Sequence, residues 1–228
     1  MFTGFSDATV EYFLNLRFHN YHSFFEETRE TYYQDVRQPF YEFIQDLAPV
    51  MLKIDPEMEV RPHKCLSRIH RDTRFSKDKS PYRDHLWLLF RRGGEKREGS
   101  VMYWFEFGPD RLEWGLGFWG ENKEAMELLR KRMTAQPQRF MDLIGDCRLE
   151  QHKLRLGGYS YKRMAVPENI PPALADWYVK KDLYIFREAP PYRWAFEAKL
   201  VDRVAKDFKA LAPLYRTLRG ALDDLQAE

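Results

Sequence analysis

A chain of 228 residues, 44% of them apolar and 32% charged, has enough material for a full hydrophobic core without metal or disulfide staples. A net charge of +2 argues against a surface devoted to coating nucleic acid, and no apolar run is long enough to cross a bilayer as a helix. Cys65 and Cys147 are the two cysteines, and the N-terminus lacks a basic region followed by an apolar stretch, so free thiols in the cytoplasm are expected.

Ser6 or Asp7 is placed to cap a first helix, with Val10, Phe13 and Leu14 at helical spacing. Ser23-Phe24-Phe25-Glu26 has the form of a capping box, opening a helix that carries Phe24, Thr28, Tyr32 and Val36 along one side. Pro39 must then kink that helix or start another. Phe40, Phe43, Ile44, Leu47, Val50 and Met51 continue the apolar stripe until Asp55-Pro56 ends it. A strand beginning near Cys65 is expected to finish at Arg68 and Ile69.

The period then changes from helical to alternating. Residues 86–90 read as a buried strand. Val101, Tyr103, Phe105 and Phe107, followed by Gly108-Pro109-Asp110 and then Leu112, Trp114, Leu116 and Phe118, predict a hairpin. Gly115 and Gly117 leave one face of its second strand bare for a neighbouring ring or a ligand. Helices are expected over 121–134, 137–144, from Pro171-Pro172 onward, and from about 194 to 225 with a break at Pro213; strands are expected over 149–156 and 183–186. Helices at both ends around a mostly antiparallel central sheet define an α+β fold, read as a single domain over 1–228.

Residues 68–83 carry the densest charge. Six are Lys or Arg and two are Asp, so this segment is +4 on a chain whose total is +2. Arginine offers a planar fork of donors that matches phosphate or carboxylate. Arg68, Arg71, Arg74 and Lys79 are the candidate anion ligands, with Tyr82 and Arg83 beside them, and Lys162 and Arg163 from later in the chain. Asp72 is a candidate general base, or the orienter of one guanidinium. Arginines three apart alternate faces on an extended strand, so their convergence requires a bend between Arg68 and Arg74.

Arg68, Arg71-Asp72, Arg74-Phe75-Ser76, Asp78-Lys79-Ser80-Pro81-Tyr82 and Arg83 match the pattern R-x-x-R-D-x-R-F-S-x-D-K-S-P-Y-[KR]. The chain therefore resembles the domain-of-unknown-function 2461 family. Phe13-Leu14-Asn15-Leu16, Asn20 and Phe24-Phe25 are similar to that family's opening, and Lys162-Arg163 to a later basic pair. The resemblance implies one intracellular domain and singles out the motif; it brings no activity and no cofactor.

Other chemistries are poorly supported. His63, Cys65, His70, Asp72 and His85 have no recognised ligand spacing, so no metal site is expected. No nucleophile elbow and no phosphate-binding glycine loop is present. Trp104, Trp114 and Trp119 with neighbouring rings could stack bases of single-stranded nucleic acid, but the alternation commits many of these rings to the core. The expectation is a binder of an anionic small molecule through the 68–83 loop, with catalysis left open. The alternative is a non-enzymatic interaction protein in which the motif is an ion-pair network or a protein or nucleic-acid contact.

Overall fold

The computed structural model describes residues 1–227, with Pro191 and Tyr192 described by their backbone alone. Ser6 caps α1 (Asp7–Phe18): its side chain accepts from the Thr9 amide while the Thr9 hydroxyl accepts from the Ser6 amide. This closes a capping box. The box expected at Ser23 does not form. α2 (His22–Glu27) starts two residues earlier, at a Tyr21 N-cap with no side-chain hydrogen bond, and Glu26 pairs with Arg29 instead of turning back.

A helical turn, α3 (Arg29–Thr31), runs into a π-helical stretch, Tyr32–Arg37, and then α4 (Gln38–Ile54). In the π stretch the Gln38 amide bonds the carbonyl of Tyr33, five residues back. Pro39 lies in the first turn of α4, which continues directly from the π stretch. α4 buries Phe40, Phe43, Ile44, Leu47 and Met51 of the stripe read from the sequence, and leaves Val50 half-buried. Next, α5 (Pro62–Cys65) is a helical turn for which Pro62 presets the φ, and extension begins at Leu66, one residue past the strand start expected near Cys65.

The sheet contains β1 (Leu86–Phe90), β2 (Val101–Gly108), β3 (Arg111–Phe118), β4 (Arg155–Gly157) and β5 (Tyr184–Glu188), antiparallel in the order β1-β2-β3-β5-β4. β4 is much shorter than the 149–156 strand expected. Arg148 and Lys153 hold positive φ in a turn that uses up the earlier residues. In β4–β5, Arg155, Leu156 and Gly157 oppose Phe186, Ile185 and Tyr184. A Cβ on Gly117 would fall 2.3 Å from the Cβ of Tyr184, so the neighbouring strand fills the space that glycine leaves.

The remaining helices are α6 (Lys123–Ala135), α7 (Pro137–Asp146), α8 (Pro172–Tyr178), α9 (Pro191–Trp194), α10 (Leu200–Ala210) and α11 (Ala212–Ala227). The chain is thus α+β with helices at both ends. Two compact units are distinguishable. The first comprises Met1–Phe90, Trp104–Trp114 and Glu188–Ala205; the second comprises Arg91–Tyr103, Gly115–Arg187 and Lys206–Glu228.

The first unit has a ring-built core. Phe5 stacks on Phe107 with centroids 4.5 Å apart, and Phe43 packs on Phe105 at 4.5 Å. Gly4 makes this possible: at φ +119 it admits the Phe196 carbonyl to 2.5 Å from where a Cβ would be. In the second unit, Tyr103 packs against Phe208 and Tyr215 at 4.8 and 5.3 Å. His152 and Arg187 both bond the buried Asp207 carboxylate there, at 2.6 and 3.2 Å.

Candidate functional site

The motif is a hairpin arm. Ser67 donates to the Trp87 carbonyl, Arg83 to that of Ile69 and Arg71 to that of Pro81, at 2.8, 2.9 and 2.8 Å. Bridges pair Leu66 with Leu88 and His70 with Tyr82. Residues 66–71 and 81–88 are therefore antiparallel, and 72–80 form the tip.

The tip binds itself. Asp72 accepts from the Arg74 amide at 3.2 Å and from its guanidinium at 2.7 Å. Asp78 accepts from the Ser80 amide and hydroxyl at 2.9 and 2.6 Å and pairs with Arg71 across the turn. Such Asx contacts are turn chemistry. The Arg74 guanidinium holds Asp72 low, at about 2, while Ser80 and then Arg71 do the same for Asp78. Asp72 is accordingly an ionised orienter of Arg74, with little basicity. Lys79 donates to the Thr73 carbonyl at 2.8 Å. Phe75 projects from the tip at 95% exposure, with the Arg74 guanidinium 5.7 Å from its ring centroid.

Tyr82 and Arg83 hold the base of the arm. Tyr82 is 1% exposed, stacked on Phe25 with centroids 4.6 Å apart. Its backbone is clamped by the Asn20 side chain, which accepts from the Tyr82 amide at 2.9 Å and donates to its carbonyl at 3.0 Å. One amide thus does the work of a strand residue. Arg83 donates to the carbonyls of Arg68, at 3.1 Å, and His70, and lies over the Trp87 ring at 4.6 Å. Lys162 and Arg163 are exposed in a turn of the second unit. Cys65 is buried, His85 bonds Asp84 at 2.8 Å, and His63 and His70 face the cleft described next.

Arg68 has a different setting from Arg71 and Arg74. It lines a cleft of about 310 Å³ in the first unit, between the hairpin arm and the Arg29–Tyr41 helical segment. Three arginines (Arg29, Arg37, Arg68) and two histidines (His63, His70) line it, with no Asp or Glu among the described lining residues. Arg68 and His70, two apart on an extended chain, share a face. Burial first, and then the nearby His22 and Arg68, push His70 below the ordinary imidazole range, so it is neutral at pH 7. Burial also raises Tyr32, with Arg37 opposing.

The opposite wall follows from helix geometry. Arg29, Tyr33, Arg37 and Tyr41 are spaced by four. In a 3.6-residue helix that spacing drifts around the axis. The wider π turn at 32–37 offsets the drift, which keeps all four beside one cleft. The Arg37 guanidinium lies 5.1 Å from the Tyr33 ring centroid and 4.8 Å from that of Tyr41, and donates to the Tyr41 hydroxyl at 3.0 and 2.5 Å. Arg29 pairs with Glu26. None of these four was singled out from the sequence. The signal that could have found them is the repeat Arg-x₃-Tyr-x₃-Arg-x₃-Tyr.

An α+β protein with a cationic, tyrosine-lined cleft beside a self-tied arginine hairpin is the class that fold and site define. The chain belongs to the family described as conserved hypothetical protein (DUF2461), which matches residues 8–216. No curated protein matches it. Among the described residues, no helix is long and apolar enough to cross a membrane.

Proposed function

We propose that this protein binds an anionic small molecule, phosphate- or carboxylate-bearing, in the cleft between the hairpin arm and the Arg29–Tyr41 segment. The observation that carries this reading is a pocket lined by three arginines with no carboxylate among its described lining residues. Arg29 is paired with Glu26, but Arg37 and Arg68 have no carboxylate partner among the described residues, and guanidinium groups in a concave site focus positive potential and match oxyanions geometrically. Arg68 is the motif residue that meets the anion, and Arg37 meets it from the helix. Arg71, Arg74, Asp72 and Lys79 tie the hairpin tip to itself and are not among the described lining residues of the cleft. A cytoplasmic location goes with this reading, supported by two buried free thiols.

The test is calorimetric titration with inorganic phosphate and pyrophosphate at low ionic strength. Arg68→Gln and Arg37→Gln are expected to weaken binding about tenfold each, roughly 1.4 kcal/mol, while Arg74→Gln leaves it within twofold. Unchanged affinity in both cleft variants would overturn the reading. The second reading, a macromolecular contact, is favoured by Phe75, which is 95% exposed among cations. It expects a salt-sensitive gel shift with single-stranded RNA that Phe75→Ala abolishes.

A further inference from the structure

We propose that the ligand of this cleft is a phosphate monoester carried on an aromatic ring. The inference rests on the anion-binding reading above and narrows it in two respects, charge and shape.

Charge comes first. Arg37 and Arg68 both line the cleft, and neither forms an ion pair with a described carboxylate. Arg37 spends its Nε and one terminal nitrogen on the Tyr41 hydroxyl, which leaves the other terminal nitrogen free to donate. Arg29, by contrast, is already engaged by Glu26. Two uncommitted guanidiniums are balanced by an anion of about two charges. A phosphate monoester carries about −1.5 to −2 at pH 7, whereas a carboxylate or a phosphodiester carries only one charge. A monoester's three terminal oxygens can also accept from both forks at once.

Shape comes second. Arg37 is held between the rings of Tyr33 and Tyr41, so its position is fixed before a ligand arrives. Such preorganisation lowers the entropy lost on binding. Tyr33 lines the cleft yet remains 40% exposed, so it offers a ring surface beside Arg37. An aromatic group linked to the phosphate meets that surface. The volume of about 310 Å³ lies at the small end of ligand pockets, which suits one ring and one phosphate.

The experiment is calorimetry on the full chain with phenyl phosphate, cyclohexyl phosphate, inorganic phosphate and benzoate. Phenyl phosphate is expected to bind at least tenfold tighter than benzoate. It should bind about fivefold tighter than cyclohexyl phosphate, the size of a typical ring–ring preference. Tyr33→Leu should erase the phenyl-over-cyclohexyl ratio, and Tyr33→Phe should restore it. Equal binding of phenyl and cyclohexyl phosphate by the wild type would overturn the aromatic assignment. Benzoate binding as tightly as phenyl phosphate would overturn the monoester assignment. Either result leaves anion binding standing. No binding of any of the four, or binding indifferent to Arg68→Gln and Arg37→Gln, would instead remove the anion reading itself.

Discussion

The Thr9 hydroxyl donates to the main-chain carbonyl of Asp35 at 2.6 Å, and Asp35 is the residue whose carbonyl an α-helical Pro39 would leave unbonded. Proline has no N–H for the carbonyl four residues back. A side chain from α1 supplies the missing donor, at the π turn that aligns the cleft wall. Thr9→Val should therefore cost about 1–3 kcal/mol, the penalty of a buried acceptor left unsatisfied. Pro39→Ala returns an N–H to this turn, so the cost of Thr9→Val should shrink by about 1 kcal/mol in that background. Denaturant unfolding of the four proteins measures this coupling. Strict additivity would mean that the two residues do not share the carbonyl.

The Asn20 side chain completes the hairpin on the outer edge of Tyr82, whose amide and carbonyl point away from its bridge partner His70. Asn20→Ala should cost about 1–3 kcal/mol, because it strips two partners from a part-buried backbone. Hydrogen exchange at the Tyr82 amide should accelerate with it. The ion pairs of the tip are of another kind. Arg74 and Asp72 are largely exposed, and water and salt already weaken their attraction. Arg74→Ala should move global stability by less than about 0.5 kcal/mol. A loss above 2 kcal/mol for Arg74→Ala would show that the tip supports the core.

Glu113 on β3 faces away from the ring core, near Glu106, Arg111 and Glu188. Burial first, and then the Glu106 charge, raise its carboxyl from an ordinary 4.5 to about 6. The folded state thus binds this proton more tightly than the unfolded chain does. The stabilisation is fully present below pH 4.5 and is lost as pH rises through about 6. Glu113→Gln has no proton to lose. It should match the wild type at pH 4 and exceed it by about 1 kcal/mol at pH 8, a value reduced for partial exposure. Thermal unfolding across that range tests the sign. A variant less stable than the wild type at pH 8 would show that the charged form is the favoured one.

The Pro39 ambiguity shows where local chemistry stops. Proline geometry foretells a break near residue 39, but the bond from the Thr9 hydroxyl to the Asp35 carbonyl at the π turn is a long-range fact. The hairpin of β2 and β3 was legible because alternation is intrinsic to a pleated strand, and the alternating residues Tyr103, Phe105 and Phe107 of β2 and Leu112, Trp114, Leu116 and Phe118 of β3 are all buried. The capping box at Ser23 was misread because a pattern of four residues says nothing about Arg29 competing for Glu26.

By itself, the sequence determined the α+β class, the apolar stripe of α4, the β2–β3 hairpin and the motif's charge. Each follows from periodicity or composition, which are local. Only the tertiary structure decided which cation faces what. The fold turns the motif back on itself, so that Asp72 and Asp78 neutralise Arg74 and Arg71, and leaves Arg68 lining the same cleft as Arg37, thirty-one positions earlier in the chain. The physical reason is that a carboxylate a few residues away reaches its arginine through a turn, whereas two like charges are held together only by the packing of the segments that carry them.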